Sequence, residues 1–255
     1  MTKALTLTAL SAFPLVEPGD DLAALILASL EHSSLSLLDG DVLVLAQKVV
    51  SKAENRYASL NDVEAGEEAL VLAAKVDKDP RLVELILSES VEVVRHRPGV
   101  VIVEHNKGYV HANAGIDKSN IESDESNPRV LLLPVDSDAS ACRLQQQLKQ
   151  LTGKSVYIII NDSAGRAWRN GTVGMAIGTA GFEPIEDLVG SEDLFGRPME
   201  VTEVAVADEL AAAASFMMGQ AAESAPVVLV RGAKLQAANT GSAALIRSKE
   251  NDLFR

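Results

Sequence analysis

Two short apolar runs that lead into polar side chains constrain the fold of this chain most strongly. Residues 42–50 are apolar and β-branched except at Gln47 and Lys48, and residues 156–160 lead directly into Asp162 and its polar neighbours. Runs of this kind are typical of buried strands. Strand-like and helical segments are mixed without strict βαβ alternation. The sequence therefore predicts an α+β fold with irregular mixed α/β packing rather than a doubly wound sheet.

Periodicity and turn residues divide the chain into further elements. Strands are predicted over residues 5–13, 42–50, 91–97, 100–104, 108–112, 130–135, 156–160 and 227–230. Helices are predicted after an Asp20-Asp21 cap and over residues 64–75, 80–88, 136–152 and 206–222. The polar stretch 115–128 is predicted to be a loop. It is the expected boundary between two sub-halves of a single domain that spans residues 1–255.

Composition and charge exclude several classes of protein. Apolar residues make up 47% of the 255 residues, which is enough for a buried core, and the single Cys142 excludes a disulfide scaffold. The formal net charge is −13, so general nucleic-acid binding is not expected, because phosphate contacts need Lys and Arg. No apolar run reaches about 18 residues, and residues 1–5 lack the features of a signal peptide. We therefore expect a cytoplasmic protein that does not bind membranes.

The common nucleotide and zinc motifs are absent from the sequence. Gly153-Lys154-Ser155 resembles the end of a phosphate loop, but Leu148 stands where that loop needs its first glycine. No Gly-x-Gly-x-x-Gly motif follows a predicted strand, which argues against a Rossmann site. The four histidines have no zinc-ligand spacing. We interpret His96 and His105 as surface or hydrogen-bonded residues.

Two acidic segments are candidates for a metal site. Asp162 follows the run 156–160 at the carboxyl end of a predicted strand, where α/β sheets place ligand chemistry. Asp117 lies among small residues that let a backbone approach a ligand, and Asn120 could bind a base or ribose there. Carboxylate oxygens suit Mg²⁺ or Mn²⁺. The alternatives are an Asx-turn at Asp162 and a solvated polar loop around Asp117.

Basic residues form two further candidate sites. Lys48 and Lys52 follow a predicted strand that is otherwise free of charge and could neutralise a polyphosphate. Solvation at the start of a helix is the alternative. Arg166 and Arg169 flank Trp168, the only tryptophan, and could bind phosphate or carboxylate, with cation–π packing as the alternative. Taken together, the acids and bases predict a site for a metal and a polyphosphate.

Seven segments match a known family in their order along the chain. They are residues 18–22, 46–54, 112–120, 162–169, 176–178, 207–214 and 228–232. One of them contains the string Ala-Asn-Ala-Gly-Ile-Asp, which ends at Asp117. Another is the string Asp-Ser-x-Gly-Arg-x-Trp-Arg, which starts at Asp162. The chain resembles the F420-0:γ-glutamyl ligase family from Leu5 to Gly232. The resemblance implies an α+β fold of two intertwined halves that works as a homodimer, with a site between the halves.

The resemblance also implies an activity. Members of the family are GTP-dependent ligases that add L-glutamate to F420-0, a deazaflavin precursor of coenzyme F420. GTP would phosphorylate the terminal carboxylate of this acceptor, and the amine of glutamate would attack the acyl phosphate. Two Mg²⁺ or Mn²⁺ ions would screen the phosphate charge, and K⁺ stimulates some members. Further γ-linked glutamates could follow the first.

The site residues of the family carry over by motif. Asp117 and Asp162 match metal ligands, and Ser163 and Gln220 complete that set. The implied nucleotide contacts are Ala12, Phe13, Pro14, Leu15, Gln47, Lys48, Lys52, Asn120, Ser163, Met218, Gly219, Gln220 and Ala221, and residues 218–225 would close on the nucleotide. Asp162, Arg166 and Arg169 are also assigned to catalysis. From their charge and position we expect Arg166 and Arg169 to hold a phosphate or carboxylate of the acceptor.

The chain departs from the family pattern near the expected acceptor pocket. Ala164 and Ala167 stand where the family usually has a bulky aromatic residue and a proline, so the acceptor and the number of glutamates stay open. Two alternatives follow from this: an amide ligase of the same fold with another carboxylate acceptor, and a non-catalytic nucleotide-binding relative. Some family members carry a C-terminal flavin-binding domain, which is not expected in a chain that ends at Arg255.

Overall fold

The computed structural model describes residues 4–254. Residues 1–3, which belong to the segment inspected for a signal peptide, and residue 255 lie outside the described residues. The strands are β1 Thr6–Ala9, β2 Val42–Ala46, β3 Tyr57–Ser59, β4 Ser90–Arg97, β5 Val100–His105, β6 Val110–Ala112, β7 Arg129–Leu131, β8 Tyr157–Arg166, β9 Arg169–Ala180, β10 Glu186–Asp187, β11 Glu203–Val204 and β12 Val227–Arg231. The α-helices are α1 Leu22–His32, α2 Gln47–Ala53, α3 Glu67–Val76, α4 Pro80–Ser88, α5 Ser137–Thr152 and α6 Val206–Met218. Within residues 4–254, none of the helices is both long and apolar enough to span a membrane.

A five-stranded sheet in the order β1-β12-β2-β8-β9 forms the centre of the fold. β2 and β8 run parallel, with Ala46 level with Asn161, whereas the other neighbouring strands are antiparallel. The mixed α/β architecture predicted from the sequence is confirmed.

Alternating apolar side chains build a core on each face of this sheet. Leu43, Leu45 and Ile158 pack with α1 and α5 on one face. Val44 and Ile159 pack with α6 on the other face. All five side chains are fully buried. Because each such burial contributes roughly 1.5–3 kcal/mol, the alternation fixes both helix layers on the sheet.

A third core lies in the chain between residues 60 and 130. There α3 and α4 pack against the antiparallel sheet β4-β5-β6, and Val83, Ile86 and Val101 are fully buried among them. Strands β3 and β7 pair with each other at the border of this core. The residues that follow β6 therefore lead from the smaller core toward the central sheet.

Four predicted elements end earlier than expected. The strands predicted over residues 5–13 and 130–135 end at Ala9 and Leu131. The other two elements border the predicted site. The strand predicted over residues 42–50 ends at Ala46, and α2 begins at Gln47. Val49 and Val50 on this helix both pack into the core. The helix predicted over residues 206–222 ends at Met218, because Gly219 has a φ of +75° that breaks helical geometry. Both differences place polar residues of the predicted site just beyond a regular element.

The strand predicted over residues 156–160 is longer than expected. β8 continues to Arg166 and pairs with β9, so Asp162 lies opposite Met175 inside a ladder. The Asx-turn alternative for Asp162 is therefore wrong. Pairing with β9 supplies hydrogen bonds that the local sequence pattern does not indicate.

Glycines in β9 allow two helices to approach the sheet closely. A Cβ atom added at Gly174 would lie 2.5 Å from the carbonyl oxygen of Ala211 and 2.6 Å from the Cβ atom of Ser215, both on α6. A Cβ atom added at Gly178 would lie 2.6 Å from the carbonyl group of Ser137 on α5. The position of α6, and of the chain that follows it, thus depends on Gly174.

We predict that Gly174→Ala destabilises the protein by about 1–3 kcal/mol, because the added methyl group must displace α6. Urea unfolding followed by circular dichroism measures this free energy. Gly165→Ala on β8 is the matched control, since a Cβ atom there meets no atom within 4 Å. Equal stabilities of the two variants would contradict the close approach of α6.

Candidate functional site

A cavity of about 760 Å³ opens where the carboxyl ends of β2 and β8 meet. Its walls come from residues 13–18, 120–122, 161–163 and 218–226, from Ala46, Gln47, Lys48, Val49 and Lys52, and from Tyr57, Arg129 and Ser215. Ligands of α/β proteins bind at this edge of a sheet. The volume suits a nucleotide-sized molecule.

Asp162 is buried in the wall of this cavity. Burial and the charge of Asp117 together raise its pKa to about 7, against the opposite effect of Lys48. A buried carboxylate beside a second carboxylate is costly unless a positive charge compensates it. The arrangement therefore favours the binding of a cation.

Asp117 is held by two side chains of α2. Lys48 Nζ lies 2.5 Å from Asp117 Oδ2, and Gln47 Nε2 donates to the same oxygen at 3.1 Å. Gln47 is buried and accepts a hydrogen bond of 2.9 Å from Ser51 Oγ. Because Gln47 is fixed in this way, the Asp117 carboxylate is positioned at the edge of the cavity.

Lys48 and Lys52 bring two ammonium groups to the same wall. They are four residues apart on α2, so their side chains lie on one helix face. Burial lowers the pKa of Lys52, and Lys48 lowers it further, although Glu122 acts in the opposite direction. A bound anion would relieve this repulsion between like charges.

Hydrogen bonds connect the chain after α6 to other walls of the cavity. Ser163 Oγ donates to Gln220 Oε1 at 2.9 Å, and Gln220 Nε2 donates to Ser215 Oγ at 3.0 Å. Asn120 Nδ2 donates to the carbonyl oxygen of Ala221 at 3.2 Å. Residues 219–221 therefore bridge β8 and the loop 115–128.

A buried imidazole that the sequence analysis did not single out lies behind Asp162. His111 Nδ1 is 3.5 Å from Asp162 Oδ2, and burial lowers the pKa of His111 to about 4. The imidazole is thus neutral near pH 7, and the tautomer with its proton on Nδ1 can donate to the carboxylate. The Tyr109 ring meets the His111 ring edge-on, with 5.2 Å between centroids, and the His105 ring stacks on Tyr109 at 4.8 Å. The one available signal was a polar residue between Val110 and Ala112 in a predicted strand.

Comparisons with known proteins identify the family of this chain. The model of the family described as F420-0:Gamma-glutamyl ligase matches residues 11–232. The chain belongs to the F420-0:gamma-glutamyl ligase family. It is 45% identical to a protein of Methanothermobacter thermautotrophicus named coenzyme F420:L-glutamate ligase, over 98% of this chain and 99% of that protein. Two further proteins of the same name are each 43% identical to this chain. The match covers 85% of each chain for the protein of Methanocaldococcus jannaschii, and 95% of this chain and 93% of the relative for that of Archaeoglobus fulgidus.

Most nucleotide contacts expected in this F420-0:gamma-glutamyl ligase family member line the cavity. They are Phe13, Pro14, Leu15, Gln47, Lys48, Lys52, Asn120, Ser163, Met218, Gly219, Gln220 and Ala221. Ala12 adopts a φ of +54° just before this set and does not itself line the cavity. Arg166 and Arg169 lie at the turn between β8 and β9, outside the cavity lining. The roles of all these residues stay predictions.

The oxygen atoms gathered here fit a hard divalent cation. The Asp117 carboxylate lies close enough to Asp162 to raise its pKa, and the Ser163 hydroxyl and Gln220 amide form a hydrogen-bonded pair beside Asp162. Among residues 4–254, no group of three or more His, Cys, Asp or Glu side chains could hold a metal. Mg²⁺ is commonly bound by one or two carboxylates together with substrate phosphates. The donor set therefore suits a cation that binds together with a nucleotide.

We predict that the metal-free protein loses stability as the pH rises. The folded-state pKa of Asp162, about 7, lies above its ordinary value of 3.8. Its stabilising contribution is therefore complete below about pH 4 and is lost as the pH rises through 7. At about 1.4 kcal/mol per pKa unit, the loss is on the order of a few kcal/mol.

The free energy of unfolding in EDTA at pH 5 and pH 8 measures this loss. Asp162→Asn should show a smaller difference between the two pH values than the unsubstituted protein. Asp62→Asn, at an exposed position outside the cavity lining, is the matched control. An equal loss in Asp162→Asn and the unsubstituted protein would show that another group is responsible.

Proposed function

We propose that this protein is a GTP-dependent coenzyme F420-0:L-glutamate ligase that forms an amide bond through an acyl phosphate and releases GDP. The supporting observation is that Asp162, Lys48 and Lys52 line one cavity, while Asp117 pairs with Lys48 beside it and raises the pKa of Asp162. Acids for a cation and lysines for phosphates are what phosphoryl transfer requires. The names of the relatives support F420-0 and L-glutamate as the molecules that are joined, in coenzyme F420 biosynthesis.

In the proposed first step, an oxygen of the acceptor carboxylate attacks the γ-phosphorus of GTP. The bond from that phosphorus to the bridging oxygen breaks, GDP leaves and an acyl phosphate forms. A polyphosphate needs local positive charge in a chain with a net charge of −13. Lys48 and Lys52 supply it from the cavity wall, where partial burial strengthens the interaction.

In the second step, the amine of L-glutamate attacks the acyl carbon. The C–N bond forms, phosphate leaves with the electron pair of the C–O bond, and the surplus amine proton passes to solvent. The acyl phosphate must be protected from water until the amine arrives. Residues 218–221 are suited to cover the acyl phosphate, because hydrogen bonds from Ser163 and Asn120 hold them over the cavity. Further cycles on the product would add γ-linked glutamates.

Asp117, Asp162, Ser163 and Gln220 would hold Mg²⁺ or Mn²⁺. When bound, the cations screen the charge that develops on the transferred phosphoryl group. Gln47 donates to Asp117 and so orients its carboxylate. His111 lies behind Asp162 and orients the second carboxylate.

We propose that the protein acts as a homodimer. The chain between β10 and β11 exposes Leu194 (100%), Phe195 (82%) and Val201 (86%). Apolar side chains exposed together in one segment are typical of an interaction surface. A second copy of the chain would cover them.

We predict that the purified protein converts F420-0, L-glutamate and GTP, in the presence of Mn²⁺, to products heavier by one or more glutamyl units. Mass spectrometry measures the products, with ATP replacing GTP and with K⁺ added or omitted as further arms. Asp162→Asn should lower kcat on the order of 10²-fold or more, because it removes a charge that acts on the transferred group. Asp62→Asn should leave kcat unchanged.

The outcomes separate the alternatives. Metal-dependent GTP binding without glutamyl transfer would favour another carboxylate acceptor. The small side chain of Ala164, which is buried on β8, is consistent with a different acceptor. A lack of both nucleotide binding and transfer would favour a non-catalytic relative and would contradict the proposed site.

We predict that His111→Ala weakens Mn²⁺ binding by about 10- to 100-fold, because Asp162 loses the group that orients it. Electron paramagnetic resonance of free Mn²⁺ measures the affinity. His111→Asn should recover most of it, since its amide can donate from a position near Nδ1. His96→Ala, at an exposed position on β4, is the control. Unchanged affinity in His111→Ala would exclude a positioning role.

A further inference from the structure

A patch of aromatic and guanidinium groups lies at the tip of the β8–β9 hairpin. We call Arg166, Trp168, Arg169, Arg247 and Phe254 the hairpin patch. The ring centroids of Trp168 and Phe254 are 6.4 Å apart, and the Arg247 guanidinium lies 5.5 Å from the Phe254 ring centroid. Trp168 is 83% exposed and Phe254 54% exposed. The two rings therefore offer apolar faces to a ligand.

The backbone at Trp168 is held in an unfavourable conformation. Arg166 pairs with Arg169, so Ala167 and Trp168 form a two-residue turn, and Trp168 has a φ of 62°. This region is uncommon for bulky residues, and Gly, Asn or Asp usually occupy it. An exposed tryptophan in such a turn gains little from packing. Its presence points to a role outside the fold.

The arginines of the turn make the patch locally positive in an acidic protein. Arg166 donates to the carbonyl oxygen of Gly171 at 3.1 Å. Within residues 4–254, no carboxylate lies in ion-pair distance of Arg166 or Arg169. Asp252, two residues before Phe254, accepts a hydrogen bond of 3.0 Å from the Phe254 N–H. Flat rings beside guanidinium groups suit a planar ligand that carries an anionic group.

The same strand connects the patch to the cavity. β8 runs without a break from Asp162 to Arg166, a distance of about 13 Å at the usual rise of a strand. The guanidinium groups are therefore too far along β8 to hold the carboxylate that reacts beside Asp162. They are placed for the opposite end of a long acceptor.

We propose that the hairpin patch binds the ring end of the acceptor. The deazaflavin ring stacks on Trp168 and Phe254, and Arg166 and Arg169 bind the polar and anionic atoms of this ring end. The side chain that carries the terminal carboxylate of the acceptor extends along β8 to the cavity. This subsite rests on the proposed function for the identity of the acceptor. It gives Arg166 and Arg169 a binding role at a distance from the transferred phosphoryl group.

Fluorescence of the single tryptophan tests this subsite directly. Because Trp168 is the only tryptophan of the chain, F420-0 titrated without nucleotide should quench the protein emission saturably. The double variant Arg166→Ala/Arg169→Ala should raise the Kd about tenfold or more, which corresponds to about 1.4 kcal/mol. Arg95→Ala/Arg97→Ala on β4 is the matched control and should leave the Kd unchanged. N-acetyltryptophanamide corrects for absorption by the ligand.

Steady-state kinetics provides the second measurement. Trp168→Ala should raise the KM for F420-0 about tenfold, the size expected for a lost stacking contact, and leave the KM for GTP unchanged. Phe216→Ala, at a similarly exposed aromatic residue of α6 outside the cavity lining, is the control. An unchanged KM for F420-0 together with an unchanged Kd in the arginine variant would overturn the subsite.

The two proposals can fail separately. Asp162→Asn should abolish ligation and retain saturable quenching with the original Kd. Saturable quenching that depends on the arginines, without ligation by the unsubstituted protein, would support the subsite and contradict the proposed function. Ligation by the unsubstituted protein, with unchanged kinetic constants in every patch variant, would support the proposed function and contradict the subsite.

Discussion

The parallel pairing of β2 with β8 is the constraint on which the site depends. It places Ala46 level with Asn161, so the chain that leaves β2 and the continuation of β8 share one edge of the sheet. α2 begins at once and presents Lys48, whereas β8 continues and presents Asp162. In an antiparallel pair the two carboxyl ends would lie at opposite edges. The lysines and the acid then could not meet around one cavity.

Charge compensation explains why these groups tolerate burial. In the absence of a cation, Lys48 pairs with Asp117 and reduces the repulsion that Asp162 experiences. The proposed cation would compete with Lys48 for Asp117 and leave its ammonium group to the phosphates. Binding of metal and nucleotide would then be mutually favourable, because each neutralises a charge that the other leaves exposed. The same uncompensated charges make the ligand-free site costly to fold and favour the binding of ligands.

Local patterns predicted the elements that depend on local physics, and failed where distant pairing decides. The buried runs of β2 and β8 and the Asp cap of α1 followed from apolar spacing and capping chemistry. The position of Asp162 inside a strand did not, because β9 supplies its partner from a separate segment. The contact of His111 with Asp162 joins β6 to β8 and has no short-range signature. The residues of the cavity were named through family resemblance, since spacing alone indicated only separate acidic and basic segments.

A column of buried polar groups connects the site to the smaller core. From Asp162 it passes through His111, Tyr109 and His105 to Glu89, whose pKa is lowered by hydrogen bonding to His105 and by the charge of Arg56. Within residues 4–254, the buried Nε2 of His111 lacks a hydrogen-bond partner, which costs stability. An apolar column would avoid that cost but could not orient the Asp162 carboxylate. The proposed positioning role of His111 would account for the polar groups along this path, and it would make the geometry of Asp162 depend on how the smaller core packs.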